Sequence, residues 1–206
     1  MKKKRRHPLR RFFLIIFVFF LLFVGRYLYI SKQRVDQINQ WQSQVETLVK
    51  YYDIGEYRDI VLGIIFTESK GNHVDIMQSS ESKYGKKDEI NDTDESLESG
   101  IKFLSEAIHQ SELLKTDVWT AVQAYNFGLN YITYVSERGG NHTIELAEEY
   151  SKNILAPALG NSTGEEYRYL TPRSVIHNGG RLYRDGGNFF YVDIVKWNVR
   201  LLNLLT

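Results

Sequence analysis

Two carboxylates stand seven residues apart in the stretch FTESKGNHVDIMQSSES, residues 66–82. Glu68 lies where the apolar run VLGIIF gives out, and Asp75 follows a turn signal at Gly71-Asn72. A helix C-terminus favours cations, and an apolar neighbourhood withholds water, so both influences disfavour the charged form of Glu68 and push its pKa up. A carboxylic acid still protonated near neutral pH is what glycosidic cleavage requires, because the leaving oxygen must take a proton as the bond breaks. Glu68 is therefore a candidate general acid; the alternative is a solvated helix-end residue paired with Lys70. Asp75 is a candidate second carboxylate that activates water or stabilises an oxocarbenium-like transition state, the alternative being a turn cap. Glu81 is a further candidate on proximity alone.

Other chemistries fit less well. Glu68, His73 and Asp75 do not have the H-E-x-x-H spacing that puts metal ligands on one helix face, His109, His142 and His177 are scattered, and the chain has no cysteine. No metal or cofactor is expected. Ser69, Ser79 and Ser80 lack a nucleophile elbow and a His partner, which argues against acyl transfer.

The elements that must position these residues begin with an unusual N-terminus. Residues 1–11, MKKKRRHPLRR, carry seven Lys or Arg and no acid, and the apolar segment Phe12 to Ile30 follows directly. Nineteen helical residues span roughly 28 Å, close to the thickness of a bilayer's hydrocarbon core. With no small-residue cleavage site after it, the segment reads as an uncleaved anchor. The basic cluster places residues 1–11 in the cytoplasm as a basic segment, 12–30 across the membrane, and the rest outside. Beyond residue 26 the balance is 18 basic against 25 acidic residues, which speaks against a nucleic-acid partner.

Apolar residues at Val35, Ile38, Trp41, Val45, Leu48, Val49 and Tyr52 predict one helix face, with residues 31–44 as a membrane-proximal helix and 45–206 as the folded domain. Further helices are predicted over Asp59 to Ser69, from Leu97 to Ile108 capped by Asp94 or Thr93, over Val118 to Tyr125, Leu129 to Val135 and Ile144 to Leu155 (ended by Pro157), and over Phe189 to Leu205. The Gly- and Tyr-rich stretch between the last two reads as a loop or short hairpin. The class is mainly α.

Three ordered motifs carry a resemblance: Glu68-Ser69, Asp75-Ile76-Met77-Gln78, and Ala124-Tyr125-Asn126-Phe127-Gly128. The sequence resembles the lysozyme-like superfamily of peptidoglycan-cleaving enzymes, in the transglycosylase and goose-type lysozyme group, and within it the wall hydrolases of the CwlT type and the pneumococcal vaccine antigen A type. The resemblance covers roughly residues 45–206. It implies a lysozyme-like helical domain with a substrate groove, Glu68 as catalytic acid, Gln78 holding the sugar chain, and Tyr125 and Asn126 lining the groove. Asp75 departs from the group's G-L-M-Q and matches the CwlT-type pattern. Taken from the residues alone, Tyr125 is equally a packing residue and Asn126-Phe127-Gly128 a helix stop.

The expected function is cleavage of the β-1,4 bond between N-acetylmuramic acid and N-acetylglucosamine at the outer face of a bacterial, Gram-positive cell membrane. A lytic transglycosylase is the alternative, and a low-turnover wall-binding scaffold is the rival of another class. The expected partners are peptidoglycan strands, the membrane through the N-terminal helix, and cell-wall synthesis or division proteins.

Overall fold

The structure, a computed structural model, describes residues 8–86 and 89–206, with only the backbone of Pro8, Glu81 and Ser82. Residues 1–7 of the basic segment, and the side chain of Glu81, lie outside the described residues. In chain order the elements are α1 (Pro8–Asn39), α2 (Gln42–Tyr51), a 3-10 turn (Gly55–Tyr57), α3 (Arg58–Glu68), α4 (Ser80–Tyr84), α5 (Thr93–Leu113), α6 (Val118–Phe127) and α7 (Asn130–Ser136). They continue with α8 (Ile144–Tyr150), a π turn (Ser151–Leu155), α9 (Ala156–Ala158), β1 (Glu166–Arg168), α10 (Pro172–Asn178), β2 (Arg181–Tyr183) and α11 (Tyr191–Leu205). The fold is mainly helical, as its periodicities predict.

α3 is the centre. Every residue from Ile60 to Phe66 is buried, so the helix is apolar on all sides because it has neighbours on all sides. Helix α11 comes closest, across Gly63, where a Cβ would stand 2.6 Å from Val199 Cγ2. Around this pair, α5 and α6 pack together, α7 packs on α6, and an aromatic cluster of Phe127, Tyr131, Tyr134 and Tyr150 closes the far side. Side-chain caps fix the starts of several helices: Asp117 for α6, Thr143 for α8, and a Thr171–Ser174 capping box for α10.

Four expectations change. The predicted single helix from Val35 to Tyr52 is two, broken at Gln40–Trp41, and its first half belongs to α1. α1 passes through residue 30 without interruption and carries Val35 and Ile38 into the core, so packing begins upstream of residue 45. The cap of α5 is Asp92, whose side chain accepts from the Asp94 amide. Pro157 does not end its helix, because it stands in the first turn of α9, directly after the π turn, where a missing N–H is tolerated. The Gly- and Tyr-rich stretch pairs β1 with β2 antiparallel, Tyr167 opposite Leu182, with α10 in place of a tight turn.

Candidate active site

Glu68 is the last residue of α3, after which Lys70 and Gly71 take left-handed backbone (φ 58° and 75°) and turn the chain back. Its carboxyl is half-buried, and Tyr191, in the first turn of α11, donates its hydroxyl to Glu68 Oε1 at 2.5 Å. Burial pushes the Glu68 pKa up from 4.5 to about 7, the Tyr191 bond works against that rise, the charge of Asp75 adds to it, and Lys70 subtracts a little. Among the described residues no ion pair joins Glu68 to Lys70, which is exposed, so the solvated-pair alternative does not describe this carboxyl.

The segment after Glu68 is stitched into place from three helices. Ser69 Oγ donates to Ile76 O at 2.8 Å and accepts from the Gly71 amide at 3.0 Å. The Met77 amide donates to Ser96 Oγ of α5, and Tyr125 Oη of α6 donates to Met77 O at 2.8 Å. Gly100 makes room for this seam, since a Cβ there would come within 2.7 Å of Met77 and 2.8 Å of Tyr125 Oη. The Tyr125 ring lies nearly parallel to that of Tyr191, 6.5 Å between centres.

Asp75 sits inside this seam, 2% exposed. Its Oδ1 accepts from the Ser79 amide (2.9 Å), Ser96 Oγ (2.5 Å) and, more weakly, Ser79 Oγ (3.4 Å); its Oδ2 accepts from the Ser80 amide (3.0 Å) and Ser80 Oγ (2.7 Å). Burial alone raises its pKa, but the Ser96 and Ser80 hydroxyls and the Ser79 and Ser80 amides outweigh it and hold the group below its ordinary value. Asp75 is thus an ionised cap at the start of α4 with both oxygens occupied. The turn-cap alternative describes its contacts, while its charge still acts on Glu68.

The remaining residues are placed as follows. Gln78, at φ 50° and exposed, turns its Nε2 back to Asp75 O (3.0 Å) and leaves Oε1 free of protein partners among the described residues. Asn126 Oδ1 accepts from the Asn188 amide at 2.7 Å, fixing the segment that leads into Tyr191, and its Nδ2 meets no acceptor among the described residues. Gly187 at φ 62° permits that contact, as a Cβ would stand 2.9 Å from Asn126 Oδ1. Gly128 caps α6, so the Asn-Phe-Gly tripeptide is a helix stop as well. An open cleft of about 420 Å³ lined by Glu46, Arg58 and Asp59 lies at the opposite end of α3 and takes no part here.

The model of the lysozyme-like family matches residues 35–199. The chain belongs to the lysozyme-like family. Among its relatives is a pneumococcal vaccine antigen A homolog of Streptococcus pyogenes serotype M1, 42% identical over 91% of this chain and 94% of the relative. The uncharacterized membrane protein YocA of Bacillus subtilis is 36% identical over 82% of this chain and 84% of its own. The bifunctional muramidase/DL-endopeptidase CwlT of Bacillus subtilis is 33% identical over 56% of this chain but only 34% of its own length. A crystal structure described as similar to lipoprotein, NLP/P60 family, from Staphylococcus aureus subsp. aureus Mu50 superposes with a TM-score of 0.72 and 32% identity, over 80% of this chain and 52% of that one.

Within this lysozyme-like domain, the sequence reading left out Tyr191 and Ser96. Tyr191 stands 123 residues from Glu68, and its only local sign is an aromatic with a polar tip opening a helix. Ser79 and Ser80, weighed only as nucleophiles, serve as donors to Asp75.

Proposed function

We propose that the chain is a membrane-anchored peptidoglycan glycosidase that cuts the β-1,4 bond between N-acetylmuramic acid and N-acetylglucosamine. The observation that carries this is the carboxyl of Glu68, poised at about 7 at the end of the central helix. Tyr191 holds Oε1, which leaves Oε2 to bear the proton and deliver it to the glycosidic oxygen as the bond breaks. Burial keeps that proton on the acid near neutral pH, and the fixed negative charge of Asp75 reinforces it while favouring the positive charge that develops on the sugar ring. Gln78 Oε1 and the Asn126 amide nitrogen are free to bond sugar hydroxyls or acetamides. The muramidase named in CwlT supports the same reaction here, across the 56% of this chain that the two share.

A second reading, lytic transglycosylation, is favoured by one observation: both oxygens of Asp75 are already engaged, so it is poorly placed to activate water. In that reaction the muramic acid 6-hydroxyl attacks, and one acid/base suffices. Mass spectrometry of muropeptides released by the full chain decides the matter. Reducing ends mean hydrolysis; anhydro ends, each one water lighter, mean transglycosylation; no products from folded protein would overturn both.

The proton inventory gives a further test. A general acid must be protonated, so turnover should fall as pH rises through about 7. Since the Tyr191 bond lowers the Glu68 pKa, Tyr191→Phe is expected to move this alkaline limb to higher pH. A limb that stays put or moves down would detach Tyr191 from Glu68.

The apolar stretch of α1, together with the YocA relative, supports an anchor in the cell membrane. The basic residues 1–11 favour a cytoplasmic N-terminus, with the catalytic domain at the outer face of a Gram-positive bacterium and a role in wall remodelling during growth or division.

A further inference from the structure

Helix α11 runs beside α1 and meets it across the end of the apolar stretch. Trp197 donates its indole N–H to Tyr27 Oη at 3.1 Å, and Lys32 Nζ donates to Leu205 O at 2.7 Å. Tyr27 lies three residues before Ile30, the end of the apolar segment, roughly 5 Å along a helix axis. Val24, a further turn back, is also partly covered. In a bilayer crossed by Phe12 to Ile30, these positions fall at the boundary between acyl chains and headgroups. Whatever binds Tyr27 from the side is therefore at that boundary too.

The outer face of α11 has the composition for such a place. Trp197, Arg200 and Leu204 lie along one side at helical spacing, with Trp197 49% and Leu204 78% exposed and Arg200 open to solvent. Tryptophan and tyrosine favour the membrane interface, and arginine pairs with lipid phosphates while its stem lies on apolar surface. Exposed Arg26 adds a second cation at the same level. The opposite side of α11, with Val192, Val195 and Leu202, is buried on α3 and its neighbours, so the helix has one face for the core and one left over.

We infer that the outer face of α11 lays the catalytic domain on the lipid surface, with Trp197 and Leu204 seated among headgroups and Arg200 on lipid phosphate. The inference rests on the proposed anchoring by α1, and not on the reaction assigned to Glu68.

The test uses the full chain in vesicles of phosphatidylglycerol and phosphatidylcholine. Trp41→Phe and Trp119→Phe leave Trp197 as the sole tryptophan, excited selectively over the 14 tyrosines at the red edge of absorption; Trp41 Nε1 has no partner among the described residues to lose, and a phenyl ring keeps the stacking of Lys196 on residue 119. Trp197 emission is expected to be blue-shifted, quenched by lipids brominated near the headgroup, and protected from aqueous iodide. A second variant, with Trp197→Phe and Leu204→Trp added, should report the same lipid contact. Iodide quenching like that of free tryptophan, with no effect of brominated lipid, would overturn the inference. Protection from both quenchers would overturn it as well, assigning the face to a second copy of the chain. Release of the chain from vesicles by alkaline carbonate would remove the anchor and the docking together, whereas muropeptide release by the same vesicles reports on Glu68 independently.

Discussion

Glu68→Gln is expected to abolish glycan cleavage and at the same time to make the protein more stable above pH 7. Glutamine keeps the shape and still accepts from Tyr191, but it has no proton to deliver. The stability gain follows from linkage. The folded pKa of about 7 lies above the unfolded 4.5, so Glu68 contributes its stabilising share in full below pH 4.5 and loses it as pH rises through 7. That rise corresponds to roughly 3 kcal/mol spent on holding the ionised group in a half-buried site at alkaline pH. Glutamine escapes this cost. Thermal melts of the full chain in detergent should coincide for wild type and variant near pH 4, and separate in the variant's favour by several degrees at pH 8, of the order of 2–4 °C per kcal/mol. Undiminished muropeptide release would remove Glu68 from the mechanism, and melts separated equally at both pH values would remove the burial argument.

Asp75→Asn is expected to act in the opposite direction on stability. The carboxylate accepts from two amides and from the hydroxyls of Ser79, Ser80 and Ser96. An amide side chain offers one acceptor oxygen and turns an NH2 towards groups that are themselves donors. Stranding buried donors costs about 1–3 kcal/mol each. The loop from Ser69 to Ser80 should loosen, giving a lower melting temperature and faster amide exchange at Met77, Ser79 and Ser80. The folded pKa of Asp75 is depressed, so its contribution is present above the ordinary 3.8 and is lost as pH falls through the lower folded value. The two carboxylates thus put their joint stability maximum in mild acid, above the ordinary 3.8 of an aspartate and below the 4.5 at which the share of Glu68 begins to fall. If Asp75→Asn instead kept full stability and lost turnover alone, Asp75 would be a second reacting carboxylate and not a cap.

What the sequence disclosed depended on how far apart the partners lie. The position of Glu68 was readable because an apolar run ending in a carboxylate is a local pattern, and α3 was predicted to within a residue of its ends. Asp75 was visible as a carboxylate but not as a saturated one, because its donors come from residues 79 and 80 on one side and from residue 96 on another helix. Tyr191 needed the whole fold to reach Glu68. The break at Gln40–Trp41 has no glycine or proline to announce it, and the apolar spacing continues on both sides, so periodicity alone joined two helices. The three-residue strands β1 and β2 are too short to alternate in any recognisable way.

The unbroken course of α1 has a mechanical consequence. Ile38 and Gln37 pack directly against Gly71, three residues from Glu68, so the long apolar helix also forms the floor of the loop that follows Glu68. From Ile30 to Ile38 the axis rises roughly 12 Å, and three residues of chain add at most about 10 Å more. If α1 spans the membrane as proposed, the acid works at a bounded height of no more than about 22 Å, with no flexible tether to extend its reach. Such a protein would search for substrate by sliding in the plane of the membrane, and glycan would come within range only where new strands lie against the lipid.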